Sequence, residues 1–103
     1  MVVNLKANEQ VIKAGDSTYH HTETEKIQGK LIVTNQRVYF KSDNGHADKF
    51  NVEILPSDIR EIIYFSTNIF SPNGFDVVMK NGEIMKFTVK KRDEIASLIN
   101  KMY

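Results

Sequence analysis

His20 and His21, with Glu23 two positions on, come nearest in this sequence to a metal-ligand pattern. Imidazole and carboxylate are zinc donors, but a structural site needs four ligands and a catalytic one about three. Adjacent residues of a strand point to opposite faces, so His20 and His21 do not chelate together. His21 and Glu23 alone are too few. The pair reads as part of a half-exposed strand, and His46 as a solvated loop residue. No metal and no cofactor is expected. The chain has no cysteine, which removes thiolate chemistry and disulfides. Gly-x-Ser-x-Gly, His-Glu-x-x-His and the phosphate loop are all missing. Serine and threonine are plentiful, yet nothing in the spacing sets a base beside one. The chain is expected not to be an enzyme, and no residue is assigned a catalytic role.

Composition narrows the partners. Of 103 residues, 41% are hydrophobic and 26% charged, which suits one domain with a core of its own. We assign residues 1–103 to a single domain, with 1–9 as a loose lead-in. Fourteen basic residues face thirteen acidic ones, for a net charge of +1. That balance offers no global field to a polyanion, so no nucleic acid is expected. The N-terminus lacks the apolar stretch of a signal peptide, and no apolar run nears the roughly 18 residues of a membrane span. A cytoplasmic protein is expected, at most peripheral to a membrane.

The elements follow from the hydrophobic period. Val11 and Ile12 are the first candidates for burial, and Gly15-Asp16 reads as a turn. Ser17–Thr24 is rich in β-branched and aromatic residues and predicts a first strand, with Tyr19 and His21 on one face. Ile27–Thr34 and Arg37–Ser42 predict a hairpin about Asn35-Gln36. In that register Val33 faces Val38 and Leu31 faces Phe40 on the core side. Thr34 faces Arg37 and Ile32 faces Tyr39 on the outer side. Asn35 suits the positive φ of such a loop.

Asp43–Lys49 predicts a polar loop with an Asn-Gly turn signal. Phe50–Leu55 predicts a fourth strand, ended by Pro56 and turned at Ser57-Asp58. Ile59–Ser66 predicts a fifth strand or a short turn leading into one, with apolar residues on both faces, and Ser71-Pro72-Asn73-Gly74 a break. Phe75–Val89 predicts a hairpin with a three-residue loop, Lys80-Asn81-Gly82, in which Gly82 forms a left-handed bulge. Phe75, Val77, Met79, Met85, Phe87 and Val89 then share a face. An Asp76–Lys86 charge pair and a Val78–Ile84 contact lie opposite. In Lys91–Tyr103 the period changes: Ile95, Leu98, Ile99 and Met102 form the stripe of an amphipathic helix, with Asp93 and Glu94 in its first turn. The fold class is mainly β, with about seven antiparallel strands and one C-terminal helix.

This order of elements resembles the pleckstrin-homology-like fold. Gly29-x-Leu31-x-Val33-Thr34-Asn35-x-Arg37-Val38-x-Phe40 resembles the strand–turn–strand signature of GRAM domains and bacterial pleckstrin-homology-like domains. Leu55-Pro56-x-Asp58-Ile59, and Asn81-Gly82 followed by Phe87, fit the same pattern. The similarity runs from about residue 9 to the end.

The resemblance implies a barrel capped by the helix and a non-catalytic binding module. It implies ligand loops between strands one and two, three and four, and six and seven. Lys26, Lys30, Lys41, Lys49 and Lys80 fall there, matched by Glu23, Glu25, Asp43, Asp48 and Glu83. Five against five is no basic bowl, and a phosphoinositide site needs cations that converge on phosphates. Arg37 reads either as a contact to an anionic group or as a salt bridge that ties down the hairpin, and the second is preferred. The residues assigned to a ligand or partner are Lys30, Arg37, Tyr39, Lys41, Lys49 and Lys80. A protein partner, bound by docking, is the first expectation, and an anionic phospholipid the alternative. Ile69-Phe70 reads either as an extension of the fifth strand into the core, the commoner case, or as a pair that inserts into a membrane or partner. The outward apolar pairs Ile32–Tyr39 and Val78–Ile84 suggest self-association into a homo-oligomer.

Overall fold

The computed structural model describes residues 5–43, 50–66 and 73–103. The strands are β1 (Val11–His20), β2 (Lys26–Thr34), β3 (Val38–Ser42), β4 (Val52–Ile54), β5 (Ile59–Phe65), β6 (Gly74–Met79) and β7 (Ile84–Val89), followed by one helix, α1 (Arg92–Asn100). Every pairing is antiparallel, and the sheet runs β4-β3-β2-β1-β7-β6-β5. It curls into a half-barrel that the helix caps. Pro56–Asp58 forms a 3-10 turn between β4 and β5, which are consecutive in the chain but stand at opposite edges of the sheet.

The inward period-2 residues make the core. Phe40, Phe75 and Phe87 are fully buried, and Tyr19 packs on Phe87 and Phe40 with centroids 5.2 and 5.6 Å away. Ile95, Ala96 and Ile99 of α1 close the core, with Leu98 and Met102 packed against it. The helical stripe was legible because its period differs from the strands before it. No helix among the described residues is long and apolar enough to cross a membrane.

Both hairpin registers are as expected. Val33, Ile32 and Leu31 pair with Val38, Tyr39 and Phe40. Phe75, Asp76, Val77 and Val78 pair with Phe87, Lys86, Met85 and Ile84. Gly82 has φ +95°, which gives the bulged loop.

Other expectations need correction. Gly15-Asp16 is no turn; both lie within β1, opposite Leu31 and Lys30. Val11 and Ile12 are exposed. Ile32, Thr34 and Arg37 are buried although they face away from the core. Asn35 is not the positive-φ residue, since Asn8 is the one non-glycine with positive φ among the described residues. Asp76 and Lys86 are in register but form no ion pair: Lys86 Nζ sits 4.6 Å from the Phe65 ring centroid instead. One carboxylate oxygen of Asp76 is buried without a hydrogen bond. The Asn-Gly signal at 44–45, His46, Lys49, Ile69-Phe70 and Ser71-Pro72 lie outside the described residues.

Candidate functional site

Thr34-Asn35-Gln36-Arg37, the most recognisable run in the chain, holds residues 7–10. Asn35 Oδ1 accepts from Gln10 N at 2.8 Å, and Asn35 Nδ2 donates to Asn8 O at 3.0 Å. Gln36 Nε2 donates to Ala7 O at 2.9 Å. Thr34 Oγ1 donates to Glu9 Oε2 at 2.6 Å and accepts from the amides of Gln36 and Arg37. Arg37 Nε and Nη2 donate to the two Glu9 oxygens, and Nη1 to Glu53 of β4. These bonds hold the Glu9 carboxyl at about 2, well under the usual range. The Arg37 hydrogen bonds dominate, and burial opposes them. The guanidinium also lies over the half-buried Tyr39 ring, 5.2 Å from its centroid. Arg37 thus ties the segment before β1 and β4 to the β2–β3 turn, with Tyr39 packed beside it. Nothing in the sequence marked Glu9, one acid in a polar lead-in, as the partner of Arg37.

Among the described residues the assigned lysines do not gather round one point. Lys30 and Lys41 are cross-strand neighbours, and Lys30 Nζ reaches Asp16 at 3.1 Å. Lys80 stands apart, in the β6–β7 turn. Lys49 is outside the described residues. His20 ends β1 and His21 lies in the bend after it, and the two meet different partners. His20 Nε2 is 3.4 Å from Thr88 Oγ1, and its pKa is lowered, chiefly by burial and then by Lys26 and Lys86. The His21 ring packs on Tyr19 and Phe50. Among the described residues no group of acids and histidines could hold a metal.

The unpaired surface lies elsewhere. A half-barrel has two sheet edges, and each presents unbonded backbone groups. The β4 edge is three residues long, whereas the β5 edge runs for seven with β6 as its neighbour. Ile63 and Tyr64 of β5 are 46% and 47% exposed. Tyr64 faces the helix. Arg92 lies 4.8 Å over its ring, and Asn100 Nδ2 meets its hydroxyl at 3.5 Å. At the Ile59 end the edge opens into a cleft of about 670 Å³. Leu55, Pro56, Ile59, Met102 and Tyr103 line it, with Gln36, Ser57 and Lys80 at the rim. A second, polar hollow of about 180 Å³ lies over the β1–β7 junction, beside Thr18 and Thr88. Sequence reasoning gave β5 as a strand but not as an edge, because edge status depends on where β4 and β5 part.

Comparison with known proteins agrees with this architecture. The GRAM domain model matches residues 1–103. A search of curated proteins gives no match. Among solved structures, the C-terminal domain of an unknown protein from Leishmania infantum superposes with a TM-score of 0.77 at 21% identity, covering 93% of this chain and 85% of that one. The Vps36 N-terminal PH domain gives 0.69 at 16% identity, over 96% and 85%. The hSac2 domain from human phosphoinositide phosphatase Sac2 gives 0.62 at 11% identity, over 95% and 72%. At these identities the likeness is one of fold. With the family model spanning the sequence from end to end and the half-barrel in place, the chain belongs to the GRAM domain family.

Proposed function

We propose that this chain is a non-catalytic docking module that receives an extended segment of a partner protein as an added strand on β5. GRAM and PH-like domains typically mediate binding to membrane lipid or to protein. The observation that carries the protein reading is the seven-residue β5 edge, which pairs with no other strand than β6 among the described residues, with exposed Ile63 and Tyr64 and a cleft at one end. Backbone bonds to such an edge supply affinity, and pockets for alternate side chains supply selectivity. Anionic phospholipid is the second reading. One observation favours it: Lys30 and Lys41 are juxtaposed on the outer sheet face. Both readings suit a cytoplasmic protein at most peripheral to a membrane.

The test is a selection from a random peptide library, followed by amide exchange measured by NMR. Bound peptides are expected to slow exchange along β5 and to leave β4 unchanged. The docking reading fails if no peptide protects β5 while the protein floats with anionic vesicles and Lys30→Glu with Lys41→Glu abolishes flotation.

A further inference from the structure

We infer that the segment received by β5 runs antiparallel to it and ends in a large apolar residue followed by a carboxylate, the apolar side chain filling the cleft and the carboxylate meeting Lys80 Nζ. This rests on the strand-addition reading and specifies its ligand.

Direction comes from the two ends of β5. At the Phe65 end the backbone is occupied: Arg92 Nη1 donates to Phe65 O at 3.2 Å. The same guanidinium is held over Tyr64 and bonded to Asp93 at 2.9 Å. At the Ile59 end the chain turns away through Pro56–Asp58, and the cleft begins. An added strand therefore has its free run toward Ile59. All six pairings in this sheet are antiparallel, and antiparallel pairing is the slightly more stable kind. A strand antiparallel to β5 enters beside Phe65 and brings its C-terminal residues to the cleft.

The cleft then selects those residues. Its size falls within the range of about 300–1,000 Å³ usual for ligand pockets, and its walls are mainly apolar. Leu55 is 38% and Tyr103 44% exposed there, so an apolar side chain would cover surface that now meets water. The last helix carbonyls are not bare acceptors facing it, because the amides of Lys101 and Met102 take those of Ser97, Leu98 and Ile99. Charge at the rim comes from Lys80. It is exposed and makes no ion pair among the described residues. Its backbone is pinned, since Lys80 N donates to Asp58 O at 2.9 Å. A fixed root with a free ammonium favours a carboxylate arriving at the end of the strand.

Three synthetic octapeptides test this. Each alternates Thr and Val; one ends in Leu-Glu with a free carboxylate, one in Leu-Gln-amide and one in Ser-Glu. NMR titration gives affinity, and amide exchange along β5 gives the site independently. The Leu-Glu peptide is expected to bind best. The amide should lose about twofold to fivefold, as an exposed ion pair allows. The Ser peptide should lose tenfold or more. Lys80→Glu should reverse the order of the first two peptides without moving the melting temperature. A spin label on the peptide N-terminus should broaden Phe65 and Arg92 rather than Ile59 and Lys80. Equal binding of all three with β5 protected would overturn the inference and leave strand addition standing. No protection by any peptide, selected or designed, would count against strand addition itself. Concentration-dependent protection of β5 in the protein alone would assign the edge to a second copy and overturn both the sequence and the direction inferred here.

Discussion

The Glu9 carboxylate accepts both Nε and Nη2 of Arg37, at 2.9 and 3.2 Å, with the two side chains 0% and 7% exposed. The pair joins the segment before β1 to the turn between β2 and β3. Removing one member leaves the other charged and buried, which typically costs about 3–5 kcal/mol. Arg37→Ala and Glu9→Ala are each expected to destabilise by that much in urea unfolding. Arg37→Lys should recover little, because an ammonium cannot serve both Glu9 oxygens and Glu53 in a planar fork. A loss under 1 kcal/mol for Arg37→Ala would mean that residues 6–10 are not held down in solution.

The same carboxylate sets an acid limit. Its pKa falls from 4.5 to about 2 on folding, mainly through the Arg37 bonds. A depressed carboxyl stabilises the fold above its unfolded value, and that contribution fades as pH falls from about 4.5 toward 2. A fall from 4.5 to about 2 corresponds to about 3 kcal/mol. Asp16 and Glu94 are lowered as well, by Lys30 and Lys13, but both are exposed and their pairs are screened. Stability measured from pH 6 to pH 2 should thus drop steeply in the native protein and much less in Glu9→Gln. Parallel profiles would place the acid lability elsewhere.

Two glycines should respond differently to alanine. A Cβ on Gly29 would come within 2.3 Å of Lys41 O and 2.7 Å of the Phe40 ring. Backbone cannot step aside as a side chain can, so Gly29→Ala is expected to cost about 3 kcal/mol or more through overpacking in the central hairpin. Gly82 has open space around it, and its constraint is φ +95°. Gly82→Ala should cost only about 1–2 kcal/mol. Thermal unfolding of the two variants ranks them, and the reverse order would contradict the register of β2 and β3.

How far the sequence could be read depended on the range of each interaction. The hairpins and α1 were legible because their determinants are local: Leu31, Val33, Val38 and Phe40 alternate, Gly82 sits where a bulge needs it, and Ile95 and Ile99 keep helical spacing. Gly15 misled because a glycine before an aspartate usually signals a turn. Here it lies inside β1, where a Cβ would press on Ile95 at 3.3 Å, so its smallness serves helix packing. Arg37 was correctly suspected of a salt bridge, but its partner lies 28 residues away and no local pattern links them. The candidate site was the least legible part. The cleft joins Leu55, Lys80 and Met102 from three separate regions of the chain, and only the curl of the half-barrel brings them together.

Asp76 offers a final check on the outer face. The residue opposite, Lys86, lies on the Phe65 ring instead of on the carboxylate, and Asp76 Oδ1 is buried without a donor. Phe65 occupies the space above Gly74, where a Cβ would lie 2.3 Å from the ring. The ring therefore sits within reach of the ammonium, and a cation over an aromatic face gains about 0.5–2 kcal/mol. A buried acceptor without a partner costs about 1–3 kcal/mol, and an apolar replacement of similar shape removes that cost. Valine also suits a strand position beside Val78. Asp76→Val is accordingly expected to raise stability by about 1–2 kcal/mol, whereas Phe65→Ala should lower it by more than the loss of ring burial alone. If Asp76→Val instead destabilises by over 1 kcal/mol, and Lys86→Met cancels the effect in a double-mutant cycle, then Lys86 pairs with Asp76 and the contact with Phe65 is the minor one.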